Sequence, residues 1–163
     1  MQFFLFLLGS EIMAIAIFTG FLLSLINIVQ PVFNSFSAEE STFFMQRFLN
    51  FAYKNAFFSF LTFLCASLPV VLTLLFFVLR QEIGKTAVLI LIILGWLFFV
   101  GGVMVLTQRV NAPLYKAVSQ WSSEELAPDW QEVQRKWYVL NHIRAGAAAA
   151  AMLLFFVAFL LAN

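Results

Sequence analysis

Four residues in one short stretch could do chemistry: Trp137, Asn141, His142 and Arg144, within KWYVLNHIRAGAAAAA, which opens at Lys136. His142 is the only histidine in the sequence, and an imidazole with an ordinary pKa of about 6.5 suits proton exchange near neutrality. Arg144 offers a planar cationic fork and Asn141 an amide, the kinds of donor that hold a developing oxyanion. At about 100° per residue, Trp137, Asn141 and Arg144 share one helix face. Arg135, Tyr138 and His142 share a second, which Gly146 and Ala149 continue into an apolar run. A neighbouring helix can approach such small residues closely. For Tyr138 and Lys136 an ordinary interfacial belt is a sufficient account. Asn141, His142 and Arg144 together are the candidate catalytic group.

Three other polar features belong beside them. Asn111 follows Arg109 in TQRVNAPLYKAV; it caps the next helix or joins His142 in a shared pocket. Glu11 sits within LLGSEIMAIAIF, and a carboxyl inside an apolar span is a functional candidate unless it lies near enough to the interface to be solvated. Gln46, Asn50 and Lys54, spaced i, i+4, i+8, form a polar stripe among aromatics. That stripe is either the wet face of an interfacial helix or a row of amides facing a pocket.

These residues need elements to position them, and the composition says where those elements lie. Of 163 residues, 63% are hydrophobic and 10% charged, against about 45–50% and 25% in soluble domains. The chain belongs in lipid. A net charge of +1 gives no electrostatic case for nucleic acid. One cysteine, Cys65, and one histidine allow neither an intrachain disulfide nor the usual zinc patterns, so no metal is expected and Cys65 reads as a small buried hydrophobe. Four apolar stretches of span length occur, at about 3–29, 56–79, 87–106 and 145–161. The first lacks the basic start of a signal peptide and is too long for one, so it is expected to remain as a span.

The fold expected is all-α: a four-helix transmembrane bundle forming a single integral membrane domain over 1–163. Ser37 to Glu40 reads as a capping box from which a helix runs into span two. Pro128-Asp129-Trp130 reads as the start of a helix running into span four, with Asp129 as N-cap. Spans two and four should therefore extend beyond the membrane on the face carrying the first and third loops. That face holds Arg47, Lys54, Arg109, Lys116, Arg135, Lys136 and Arg144 against Arg80 and Lys85 opposite. The expected location is a bacterial inner (plasma) membrane, with both longer loops cytoplasmic.

The segments VNAPLYKAVSQW, DW and RKWYVLNHIRAGAAAAA resemble the anthrone oxygenase-like integral membrane family. Asn111, Pro113 and Trp130 carry the resemblance, with Arg135, Trp137, Asn141, His142 and Arg144 in the pattern R-x-W-x-x-x-N-H-x-R. The stretch from Met45 and Gln46 to Asn50 is a weaker echo, its spacing about a residue off. The resemblance implies oxidation of an activated, anthrone-like aromatic by molecular oxygen without a metal or flavin. On that reading His142 is the base, and Arg144, Asn141 and Asn111 stabilise the oxyanion. Trp137 and nearby phenylalanines wall the pocket, with Arg135, Tyr138, Gln46, Asn50 and Glu11 as further binding candidates. The partners expected are the bilayer, a hydrophobic small molecule, and a second copy or larger membrane complex. A competing reading makes the bundle a haem- or quinone-binding or accessory subunit, with His142 as an axial ligand.

Overall fold

A computed structural model describes residues 1–121 and 129–163, the side chain of Tyr53 aside. Four helices are long and apolar enough to cross a membrane: α1 (Gln2–Asn34), α3 (Ala56–Val78), α4 (Thr86–Ser119) and α5 (Trp130–Ala162). Between the first two lies α2 (Ala38–Tyr53), and a single turn, Arg80–Ile83, leads from α3 towards α4. Among the described residues every regular element is helical. The fold is the expected four-helix bundle.

The spans form a ring in which α1 packs on α3 and α5, and α4 packs on α3 and α5. Each helix turns one stripe inward: Phe4, Leu8, Ile15 and Leu22 on α1, Leu61, Cys65 and Leu72 on α3, Ile92 and Phe99 on α4. The α5 stripe is mostly alanine, with Ala148, Ala151 and Ala158 buried around Phe155, so its backbone sits close to its neighbours. Gly95 leaves the space that the Phe155 ring fills: a β-carbon there would lie 3.0 Å from the ring. Large side chains such as Phe63, Leu74 and Leu97 point outward, as lipid contact requires. Pro69, buried inside α3, withdraws one backbone donor. Nearby, the Ala66 carbonyl accepts a 2.9 Å bond from Trp96 Nε1, tying α3 to α4. At the far end Gly84, with φ +67°, makes the reversal between spans two and three.

Three of the spans have 33 or 34 residues, roughly 50 Å of helix where about 20 residues suffice. The C-terminal ends of α1 and α4, the N-terminal end of α5 and α2 therefore build a collar on one face. The helix expected to run from Ser37 into span two instead breaks. Lys54 ends α2, and Asn55 restarts the chain as N-cap of α3, its side chain accepting from the Phe58 N–H at 3.0 Å. Likewise no separate helix starts after Asn111, because α4 runs on through Ala112 and Pro113 to Ser119. Asp129 occupies the N-cap position of α5 without a side-chain cap bond; Pro128 lies outside the described residues.

The capping box forms as read: Ser37 Oγ accepts from the Glu40 N–H at 3.3 Å and Glu40 accepts from the Ser37 N–H at 2.9 Å. These bonds, backbone first, hold the Glu40 carboxyl below the usual range. A lowered carboxyl contributes stability above its ordinary pKa and loses it as pH falls through the lowered value. Ser37→Ala removes the oxygen that accepts the Glu40 N–H and should destabilise α2 by about 1 kcal/mol, while the bond from the residue-37 N–H to the Glu40 carboxylate stays. Hydrogen exchange over residues 38–53 should be faster in Ser37→Ala than in wild type at pH 7, and the difference between Glu40→Gln and wild type should shrink at pH 3.

Candidate functional site

On α5 the two faces read from the sequence separate as expected. Trp137 is 1% exposed, Asn141 0% and Arg144 8%. Arg144 Nη1 donates to Asn141 Oδ1 at 3.1 Å, and Tyr115 is hydrogen-bonded to the same guanidinium. Among the described residues three donors then remain buried without a partner: Arg144 Nε, Asn141 Nδ2 and Trp137 Nε1. Among the described residues no carboxylate pairs with Arg144; the ion pairs present join Met1 to Glu82 and Glu132 to Lys136. An uncompensated buried cation with spare donors is expensive. The group is built to receive negative charge.

Arg144 and Trp137 open into a cavity of about 190 Å³ whose other walls include Phe18, Phe21, Phe48, Phe58 and Tyr115. A second lobe of about 240 Å³ shares Phe18, Ser59, Thr62, Thr107 and Arg144 with it and reaches Met104 and Gln108. The hydroxyls of Ser59, Thr62 and Thr107 donate to backbone carbonyls one turn earlier. Trp137 is fixed by a stacked Phe33 at 6.0 Å and an edge-on Phe48 at 6.1 Å between centroids. A void of about 150 Å³ admits benzene. The first lobe is thus large enough for a small aromatic ring.

Thr107 and Tyr115 owe their place to an irregularity in α4. Its stretches Val100–Val105 and Thr107–Asn111 are π-helical. In a regular helix the 16 residues from Phe99 to Tyr115 would leave them about 160° apart. Wider turns remove that drift, so buried Phe99, Val103 and Asn111 stay in register with Thr107 and Tyr115. Such turns recur at functional sites. Asn111 caps nothing; it is fully buried, with both amide atoms unpartnered, between the two residues that line the cavity. Tyr115, which lines the cavity and is hydrogen-bonded to Arg144, is not among the residues the sequence singled out.

The remaining candidates lie elsewhere. His142 is exposed, its Nδ1 2.8 Å from the Tyr138 carbonyl, and lines neither lobe. It is one residue, about 100°, from Asn141, and the structure does not bring it to the cavity. Arg135 is exposed as well. The Tyr138 hydroxyl accepts from Gln134 Nε2 at 2.9 Å and reaches Asn34 Oδ1 at 3.0 Å, clasping α5 to the end of α1. Gln46 Nε2 donates to the Val118 and Trp121 carbonyls, both at 2.9 Å, which ties α2 to α4. Asn50 is exposed on an outer groove. Glu11 is fully buried with neither oxygen partnered. It stands seven residues, roughly 10 Å of axis, from Phe18 and so apart from the cavity.

Among the described residues no three His, Cys, Asp or Glu side chains come together in a way that could hold a metal ion. No curated protein and no solved structure matches the chain. A family model described as Anthrone oxygenase matches residues 48–154, more than half of the sequence and the part that supplies Arg144, Asn141, Trp137, Tyr115 and Asn111. The chain is a membrane-spanning four-helix protein that belongs to the Anthrone oxygenase family.

Proposed function

We propose that this protein oxidises an activated, anthrone-like aromatic with molecular oxygen inside the bundle. The observation that carries the reading is Arg144: buried, without an acidic partner among the described residues, and open to an aromatic-walled cavity. A ligand that binds there as an enolate or phenolate relieves the unpaired cation, so the site favours the ionised form. One C–H proton leaves to water, giving the anion. The anionic carbon then bonds oxygen and regains a proton as a hydroperoxide. Loss of the second C–H proton breaks the O–O bond, leaving a carbonyl and releasing water. Trp137 Nε1 and Asn141 Nδ2 are further donors for the substrate oxygens, and the phenylalanine walls hold the rings.

On this reading the protein's contribution to ionisation is the charge of Arg144, and His142 is not the base. His142→Gln should keep kcat/KM within about twofold of the wild type. A fall of 100-fold or more would return the proton to His142. The function itself is tested with purified protein in nanodiscs and a hydroxylated anthrone, following oxygen uptake and quinone absorbance together. One oxygen consumed per quinone, faster than the uncatalysed reaction, supports the assignment; no acceleration sinks it. The haem alternative is weakened by His142, whose ring faces outward and lines neither lobe.

A further inference from the structure

We propose that a groove on the collar, which shares Leu49 and Tyr115 with the wall of the Arg144 cavity but opens away from Arg144, binds the phosphate of an anionic membrane lipid. The groove has a volume of about 420 Å³ and runs between α2 and the last turns of α4. Lys54 stands on its α2 side and Lys116 on its α4 side, with Asn50 between them and Leu49 and Tyr115 as apolar floor. Both lysines are exposed. Among the described residues neither has an acidic partner, since the ion pairs lie elsewhere. The walls are held in register by Gln46, whose two bonds to the Val118 and Trp121 carbonyls join α2 to α4.

The depth of the groove identifies the kind of anion. Directly after Asn50 the chain exposes Phe51, Phe57 and Phe60, which are 74%, 55% and 60% exposed. Span α3 starts at Ala56, two residues after Lys54, and Lys116 lies three residues before the end of α4 at Ser119. On this proposal both groove lysines therefore stand at headgroup level, at the ends of apolar helices. Lysine is a compact point charge on a flexible apolar stem. Two of them converging from different helices suit a tetrahedral phosphate diester, and the Leu49 and Tyr115 floor suits the glycerol and first methylenes beneath it. Basic residues near an anionic surface each add to its attraction, so removing two should weaken retention roughly tenfold or more.

The test uses the full chain in nanodiscs of phosphatidylglycerol or phosphatidylcholine, followed by mild detergent and native mass spectrometry. Wild type should retain phosphatidylglycerol in preference to phosphatidylcholine, and K54Q/K116Q should lose that preference by about tenfold. R109Q/R135Q, which removes two exposed charges elsewhere on the collar, should keep it. Equal retention in wild type and K54Q/K116Q overturns the proposal. Amine acylation of the wild type supplies a readout that does not depend on a variant folding. Lys54 and Lys116 should react several-fold more slowly in phosphatidylglycerol than in phosphatidylcholine, and equal rates overturn the site. Protection by millimolar inorganic phosphate in phosphatidylcholine, with none from phosphatidylglycerol, would assign the groove to a free phosphate and overturn the lipid.

Discussion

Replacing Arg144 with Gln is expected to lower kcat/KM for a hydroxylated anthrone by about 100-fold or more and to raise the thermal stability of the protein. The first effect follows from removing the charge against which the substrate anion forms; loss of one well-placed donor typically costs 10²–10³ in rate. The second follows from the ground state. Arg144 is 8% exposed and, among the described residues, faces no carboxylate. A buried charge without a counter-charge opposes folding. Gln keeps a polar head that Asn141 can still meet, so the gain should be roughly 1 kcal/mol or more. The paired measurement is a melting curve in detergent beside the oxygen-uptake assay. An Arg144 that only braced the collar would give the opposite sign for stability, because its loss would remove the bond that Asn141 Oδ1 accepts from it. Arg144→Lys is expected to recover part of the rate, since it restores charge without the planar fork.

The second large effect lies in the contact between α4 and α5. Gly102 faces Ala147, and a β-carbon built on Gly102 would collide with the Ala147 β-carbon. Both atoms are anchored to backbone, so neither can rotate away as the end of a long side chain would. Gly102→Ala should therefore push the two helices apart and destabilise the bundle by about 1–3 kcal/mol. The change is expected although Ala is the better helix former. Gly102→Ala combined with Ala147→Gly exchanges the two sides of the same contact and should restore most of the loss. The unfolding midpoint on titrating denaturing detergent into a mild one is the measurement. If the double variant is as unstable as the single one, the close approach at this point is not the cause. Because α4 carries Thr107, Asn111 and Tyr115 just beyond Gly102, the single variant should also weaken binding at Arg144.

What could be read from the sequence divides along physical lines. The spans and their helical state were legible because hydrocarbon leaves a backbone no alternative to internal pairing. The capping box at Ser37 was legible because its two bonds span only three residues. The grouping of Trp137 with Asn141 and Arg144 followed from spacing on one regular helix, and the burial of all three agrees. Other readings failed where the local rule was ambiguous. Lys54 and Asn55 looked like part of one helix, yet Asn55 serves as an N-cap, a role its sequence neighbours do not announce. Asn111 could be read as a cap or as a pocket residue; it makes no cap bond and is buried in mid-helix, its amide unpartnered among the described residues. Trp137, Asn141 and His142 sit within six residues, and sequence proximity alone could not say that His142 faces out.

By itself, then, the sequence determined that this is a helical membrane protein, which four segments are apolar enough to cross a bilayer, and which α5 residues share a face, because each of those depends on hydropathy or on a regular period within one segment. Only the tertiary structure decided that α4 widens twice, so that Thr107, Asn111 and Tyr115 keep step with Phe99, and that Arg144 meets Tyr115 and Asn141. A regular 3.6-residue period puts Tyr115 on the wrong side of the helix. The π-turns that correct it, like the choice of partner for a buried cation, depend on what packs against the chain.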